Sequence, residues 1–561
     1  MSNYSYDEEF IFRTEDIKSK DLINIFVETK MDRENLTYLK GKSPVLLEGS
    51  RGTGKTMLLR VAEKEIDDDF DSKRELAVFV SFSKAIFVDA TNEITHFRSW
   101  MFSKILFALK RKLEKKGIAL ANTGILGKYF TFVENKDEII KKLDEYIYIL
   151  ENSWHRKTKE ESDQVGQLFG VEPDRVGILK ETDYFKALVE DICEACDINR
   201  IVLLFDEACH NLIPQQQREF FTMFRDLRCP YISCKAAVYP GITSYGTFQS
   251  FHDAIVQKVE RDIASEDYVV KMREIVKNQV DPQVFKIFEQ NGENFNTLIY
   301  AASGNPRLLL KSLFIASEDL KSLKTNTVNS TIKSFYRTNI WNEHTKLGDT
   351  YKGHKKLIDW GRWFVENKVL SETLMKNDKR VAEEKNQQTI YFAIHREAPE
   401  VVKQAIRILQ YSGIVSMHTE GTKVRTEVYD RYQINFGVVL ASESKSTPIN
   451  RYKEIIAGLS IKLYTDYGIN SPAYENTEVL KDISTEFDSS AVLKSLLSAS
   501  IDNLDITNFQ CQTLKDAGFN TLEDILNAEE KDLQRAHLIG PVKARRIFNT
   551  AFNATIEYIS G

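Results

Sequence analysis

The sequence predicts an α/β core on a parallel sheet, followed by a helical lid, an α+β module and an all-α module at the C-terminal end. Three observations carry this. Gly49-Ser50-Arg51-Gly52-Thr53-Gly54-Lys55-Thr56 fits the phosphate-binding pattern GxxxxGK[ST]. Its flanks are a short apolar run, Pro44-Val45-Leu46-Leu47, and an amphipathic stretch over 57–64, so the loop joins a strand to a helix. Far downstream, Ile201-Val202-Leu203-Leu204-Phe205 is an unbroken apolar run, as in a strand buried on both faces, and it ends in Asp206-Glu207.

At a strand-to-helix junction, unpaired backbone N–H groups and the positive end of the helix dipole converge on an anion. Glycines there remove the Cβ atoms that would keep the backbone off a phosphate. The expected nucleotide contacts are Gly49, Ser50, Arg51, Gly52, Thr53, Gly54, Lys55, Thr56 and Met57. Lys55 reaches the β and γ phosphates, and the Thr56 hydroxyl completes the coordination of a magnesium ion. Carboxylates at the C-terminal edge of a parallel sheet lie where ligands bind, so Asp206 is expected to hold the same ion and Glu207 to polarise the attacking water. ATP and magnesium are the expected cofactors. Read separately, the two motifs are a Gly-rich turn and a solvated strand end; read together they favour the nucleotide.

At 561 residues the chain exceeds what one core holds. Apolar content of 42% and charged content of 28% describe a globular protein, and no run approaches the roughly eighteen apolar residues of a spanning helix. The start, Met1-Ser2-Asn3-Tyr4-Ser5-Tyr6-Asp7-Glu8-Glu9, is acidic where a signal peptide is basic, which predicts a cytoplasmic protein with no membrane partner. A net charge of −6 supplies no overall basic field, so contact with nucleic acid has to come from local patches. Cys193 and Cys196 form a CxxC pair near Cys209, His210, Cys229 and Cys234. Without a second CxxC or an HxxxH partner these are expected to be buried thiols rather than a zinc site.

Residues 1–261 form the expected nucleotide-binding domain, with strands over 75–82 and 231–238, a helix over 93–115 and a charged helical insertion near 117–182. The lid spans 262–345. In it Gly304-Asn305 breaks the chain, Pro306 starts a helix and Arg307 stands at that helix's N-terminus. Residues 346–440 look like a winged-helix domain. Helices are expected over 355–366 and 399–411, with Val402, Ala405, Ile406 and Leu409 inward, followed by strands around a His418-Thr419-Glu420-Gly421 turn. Lys403, Gln404 and Arg407 lie on the outer helix face and Lys423 and Arg425 in the wing, while Glu397, Glu400, Glu420 and Glu427 dilute that charge. DNA contact and protein docking both remain open for this module. Residues 441–499 are a linker, clearest at 441–448, and a helical segment; 500–561 form the last module.

The loop, the Asp206-Glu207 strand and the Gly304-Asn305-Pro306-Arg307 turn resemble AAA+ ATPases of the ORC/Cdc6-like branch over roughly residues 10–320, and more loosely the STAND signalling ATPases. The resemblance implies a Walker A pair at Lys55 and Thr56, a Walker B pair at Asp206 and Glu207, and a lid arginine, sensor 2, at Arg307; the catalytic set is then Glu207, Lys55 and Arg307. Two departures stand out. Tyr239-Pro240 replaces a polar sensor 1, with Thr243 or Ser244 as substitutes, and no arginine lies between Tyr239 and Asp253, leaving Arg225 and Arg228 as alternatives.

Residues 500–561 resemble helix-hairpin-helix domains, especially the C-terminal domain of the bacterial RNA polymerase α subunit. That implies a DNA phosphate held by Gly540, Lys543, Arg545 and Arg546. Six Lys or Arg against nine Asp or Glu leave this module at −3, which equally suits a protein-binding hairpin. The expected function is a slow ATP-hydrolysing switch that engages DNA through its C-terminal modules. The alternative is a STAND-like signalling scaffold, in phage defence for example, with a protein partner or effector. Homo-oligomerisation is compatible with either.

Overall fold

The structure, a computed structural model, describes residues 10, 14, 17–18, 20–82, 94–118, 124–129, 141–142, 144–145, 147–148, 181–207, 214–318, 320–350, 354–424, 426–477, 497–504 and 506–559. Contacts divide the chain into two compact units. One takes residues 13–49 and 54–259; the other holds Phe10, Ser50–Thr53 and residues 260–561.

The first unit is an α/β P-loop core. Its strands are β1 (Val45–Glu48), β2 (Glu75–Ser81), β3 (Arg200–Asp206), β4 (Ile232–Val238) and β5 (Ile255–Lys258). All pair in parallel in the order β2-β3-β4-β1-β5. Parallel neighbours need crossover connections, which cover both faces with helices, so every residue of β3 and β4 is buried. The helices are α1 (Lys30–Lys40), α2 (Lys55–Asp68), α3 (Ile94–Lys115), α4 (Thr182–Ala195) and α5 (Pro214–Asp226). Thr29 and Asp32 begin α1 with a reciprocal capping box. Leu36, Leu59, Val45, Leu47, Val202 and Leu204 meet in one apolar core between helices and sheet. On α3, Phe97, Trp100, Met101, Ile105, Leu106 and Leu109 are all buried, as their helical spacing predicts.

The second unit begins with helices α6 (Tyr268–Lys277), α7 (Pro282–Gln290), α8 (Gly292–Ala301), α9 (Pro306–Ala316) and α10 (Thr325–Ser334). A wider π turn over Phe335–Asn339 carries α10 on into Ile340–Thr350. An α+β module follows. Helix α11 (Lys355–Phe364) continues through a second π turn, Val365–Leu370, to Ala382, and packs against α12 (Glu400–Tyr411). Strands β6 (Tyr391–His395), β7 (Val415–Val424), β8 (Glu427–Ile434) and β9 (Thr465–Tyr467) form a sheet in the order β7-β8-β6-β9. Helices α13 (Phe436–Ser442) and α14 (Pro448–Gly458) lie between β8 and β9. The last module, α15 (Asn508–Asp516), α16 (Leu522–Asn527) and α17 (Pro541–Ile559), buries Leu514, Leu522, Ile525, Leu533, Ile539 and Ile547 together.

Two sequence expectations read differently here. The turn expected at His418-Thr419-Glu420-Gly421 is interior to β7, which runs on to Val424. Register shifts after Met417 and after Thr419 absorb the extra residues, with Gly421 at φ +64°. The 441–448 stretch is a tight connection between α13 and α14, and its Glu443 is buried against Arg451 of α14. Of the 117–182 insertion, only 117–118, 124–129, a few residues of 141–148 and 181–182 lie within the described residues.

One buried charge sits under the sheet. Lys235 of β4 is fully buried, and its ammonium donates to the carbonyls of Gly41, at 2.8 Å, and Ser43. Burial, aided by the nearby Arg200 guanidinium, pushes its pKa down to about 7. The unfolded chain keeps this proton to about 10.5 and the folded chain only to about 7, so between those values the unfolded state binds more protons and stability rises with pH. Urea unfolding at pH 7, 8 and 9 is expected to show that rise in the parent and a flatter profile in Lys235→Met.

Candidate nucleotide-binding site

Within the first unit, the sheet register brings the two sequence motifs to one edge. Phe205 pairs with Ala236 and Leu47 with Ala237, so Asp206, the next residue of β3, comes level with Leu47 on the far side of β4. Two strand spacings, about 10 Å, therefore separate Asp206 from the end of the strand that leads into the loop. Gly54, at φ +102°, is the N-cap of α2 and, having no side chain, makes no side-chain cap hydrogen bond to its first turn.

Lys55 is 4% exposed. Its ammonium donates to the Gly49 carbonyl at 2.7 Å and lies over the Tyr239 ring, 3.8 Å from the centroid. Tyr239 follows the last residue of β4, where a polar sensor was expected, and so supplies a ring face for the lysine. The Thr243 hydroxyl binds the Tyr239 backbone, donating to its carbonyl at 2.6 Å and accepting from its N–H at 3.2 Å. The Ser244 N–H donates to Gln217 Oε1 at 2.6 Å. Arg225, at the end of α5, pairs with Asp226 at 2.9 Å.

Asp206 is 3% exposed. Glu207, beside it, is half-buried and adopts φ +59°, a left-handed conformation that a non-glycine residue rarely holds and that tends to mark functional strand ends. Thr56 carries a hydroxyl and Asp206 a carboxylate, oxygen donors of the hard kind that suits magnesium. Among the described residues there is no cluster of three His, Cys, Asp or Glu side chains that could hold a metal ion. Cys193, Cys196 and Cys234 are buried free thiols, Cys229 is a half-buried one, and Cys209 and His210 lie outside the described residues.

In the second unit, the middle of the loop is held by the helices after residue 260. Arg307 stands in the first turn of α9, whose N-cap is Asn305. Gly52, at φ +89°, packs so closely there that a Cβ would lie 2.8 Å from both Arg307 Cβ and Asn305 Oδ1. The Asn305 Nδ2 donates to the Arg51 carbonyl at 2.8 Å, and Arg261 Nη1 to the Thr53 carbonyl at 2.8 Å. Sequence reasoning named Arg307 as a lid arginine and Tyr239 only as the residue standing in place of a polar sensor, and it missed the loop contacts of Asn305 and Arg261. The asparagine before Pro306 read only as a helix cap, and nothing local in the sequence marks Arg261.

The ORC-CDC6-like family model matches residues 10–66. That span takes in α1, β1, the loop and most of α2. Among solved structures, the Aeropyrum pernix ORC1 protein in complex with DNA is similar at 13% identity, covering 78% of this chain and 98% of that one, with a TM-score of 0.28. The Aeropyrum pernix ORC2 protein, in ADPNP–ADP complexes, is similar at 12% identity, covering 82% and 95%, with a TM-score of 0.30. None of the curated proteins matches the chain.

The residues expected to contact DNA are largely engaged within the second unit. Arg545 needs correction: it is 9% exposed, with its guanidinium donating to both Glu530 carboxylate oxygens, to the carbonyls of Glu397 and Ile469, and to Asn470 Oδ1. In this arrangement it is not available to a phosphate. Arg546 is exposed but paired with the Glu397 carboxylate, and its charge holds that carboxyl below the usual range. Lys403 and Arg407 both pair with the buried Glu400, at 2.6 and 2.9 Å. Gly540 and Lys543 stay exposed, Lys543 donating to the Leu538 carbonyl at 3.1 Å. The left-handed residue of this hairpin is Leu538, at φ +60°, rather than Gly540. Arg425 lies outside the described residues. Among the described residues no helix is long and apolar enough to cross a membrane.

The tight packing at Gly52 gives a direct check. Gly52→Ala adds a methyl group against the lid at a backbone angle unfavourable to alanine, so thermal denaturation is expected to show a loss of about 1–3 kcal/mol. A stability equal to the parent's would mean that this packing is absent in solution.

Proposed function

We propose that the chain binds and slowly hydrolyses ATP with magnesium, as an AAA+ switch of the ORC/Cdc6-like kind, and that its C-terminal modules engage DNA. The observation that carries the nucleotide reading is the placement of the loop's strand and of Asp206-Glu207 on one edge of the parallel sheet, one strand apart. The family match over residues 10–66 supports it.

On this reading the amides at the start of α2 and the Lys55 ammonium bind the β and γ phosphates. Thr56 and Asp206 are the oxygens that would hold magnesium, which when bound neutralises charge on those phosphates. Glu207 takes a proton from the water that attacks the γ phosphorus, as ADP leaves. Arg307, beside Gly52, extends the positive charge around the loop. Lys55→Ala is expected to weaken binding of a fluorescent ATP analogue by about a hundredfold or more, the scale of a lost charge-assisted contact. Glu207→Gln is expected to keep that affinity while phosphate release falls by about 10²–10⁴. Parent-like turnover in both variants would overturn the site assignment.

For DNA, the α+β module is read as a winged helix and residues 500–559 as a helix-hairpin-helix module. The pairing of Arg546 with Glu397, and of Lys403 and Arg407 with Glu400, supports a switch whose basic groups are masked in this arrangement. Salt-dependent binding to duplex DNA is expected to strengthen in Glu397→Ala, which frees Arg546, and to weaken in Lys543→Glu. If no duplex binding occurs at any salt concentration, the DNA reading fails. The same two modules would then be surfaces for a protein partner, as in the STAND-like alternative.

A further inference from the structure

The Arg51 backbone is held at both its N–H and its carbonyl. Its N–H donates to the Tyr411 carbonyl at the end of α12, at 3.3 Å, and its carbonyl accepts from Asn305 Nδ2 at 2.8 Å. Asn305 divides its side chain between two tasks. Its Oδ1 accepts from the Leu308 N–H, at 3.2 Å, as an ordinary N-cap of α9, while its Nδ2 reaches the loop. Two residues on, Arg261 Nη1 holds the Thr53 carbonyl.

The turn that receives Arg51 is itself secured by a second asparagine of the same design. Asn435 caps α13 by accepting from the Val438 N–H at 3.3 Å, and its Nδ2 donates to the Gly413 carbonyl at 3.1 Å. Its own N–H donates to the Ile414 carbonyl at 2.8 Å. The next amide, Phe436 N–H, donates to Ser303 Oγ at 2.6 Å, which returns the network to the residues before Asn305.

The carbonyl of one residue and the N–H of the next lie in a single planar trans peptide and point opposite ways, so fixing the Arg51 carbonyl fixes the direction of the Gly52 N–H, and fixing the Thr53 carbonyl does the same for Gly54. A loop that binds phosphate through its amides needs those groups aimed before the anion arrives, because ordering them on binding would cost affinity. We propose that Asn305 is a positioning residue for the phosphate loop, holding the Arg51 carbonyl so that the Gly52 N–H on the other side of the same peptide faces the nucleotide. Asn435 acts one step further back, through the Tyr411–Ile414 turn. The inference rests on the nucleotide reading of the loop.

Asn305→Ser separates the two tasks, since a serine hydroxyl still caps α9 but is too short to reach Arg51. Titration of the full chain with a fluorescent ATP analogue and magnesium is expected to show affinity about tenfold weaker in Asn305→Ser, as for one lost hydrogen bond of about average strength. Asn435→Ser is expected to show a smaller loss in the same direction. The control is Asp281→Ala, which removes the N-cap of α7 in the same unit. It is expected to lower the melting temperature at least as much as Asn305→Ser while leaving affinity unchanged. Parent-like affinity in Asn305→Ser overturns the positioning role, and so does an equal loss of affinity in Asp281→Ala, which would trace the effect to general destabilisation. A parent that does not bind the analogue overturns the nucleotide reading instead.

Discussion

Everything at the candidate site depends on the parallel pairing of β4 with both β1 and β3. That ladder sets the level of Asp206 against the strand leading into the loop, and no contact between the two motifs is needed to do so. Because all the strands run the same way, every βα connection of this sheet emerges on the same edge, and the polar residues that follow the strands collect there. The apolar runs of β3 and β4 thus serve the candidate site indirectly. They lock the register, and the register places the carboxylates.

Much of this was legible in the sequence, because local patterns sufficed. The loop motif, its flanking strand and helix, and the Asp206-Glu207 strand end each carry their own signature. The α3 and α12 faces follow from helical spacing. The pairing of Lys403 and Arg407 with Glu400, one and two turns earlier on the same helix, agrees with the dilution of their charge that the sequence already indicates. Less legible was anything decided by partners distant in sequence. Arg545 looks like a phosphate ligand within its hairpin motif, but Asn470 and the carbonyls of Glu397 and Ile469, tens of residues away, complete a buried site for it. Charge counts along the chain do not reveal such pairings.

The loop itself shows the same division. Its glycines and Lys55 could be read directly, and the helix-capping role of Asn305 follows from its place before Pro306. That Asn305 also has a donor free to turn back onto Arg51 depends on a helix some 250 residues later arriving at the right angle. Side-chain amides suit such dual roles, since one group carries both an acceptor and donors on opposite atoms.

Glu207 has a consequence for how this chain can change over time. Its backbone lies in a region where glycine is at ease and where asparagine is tolerated, while glutamate is held at a local cost of about 1–3 kcal/mol. Drift toward a more stable protein therefore runs straight through this position, and each step along it removes the carboxylate. On the function proposed above, a descendant that kept the sheet and the loop but carried glycine here would be sturdier and inert, a holder of ATP rather than a consumer of it.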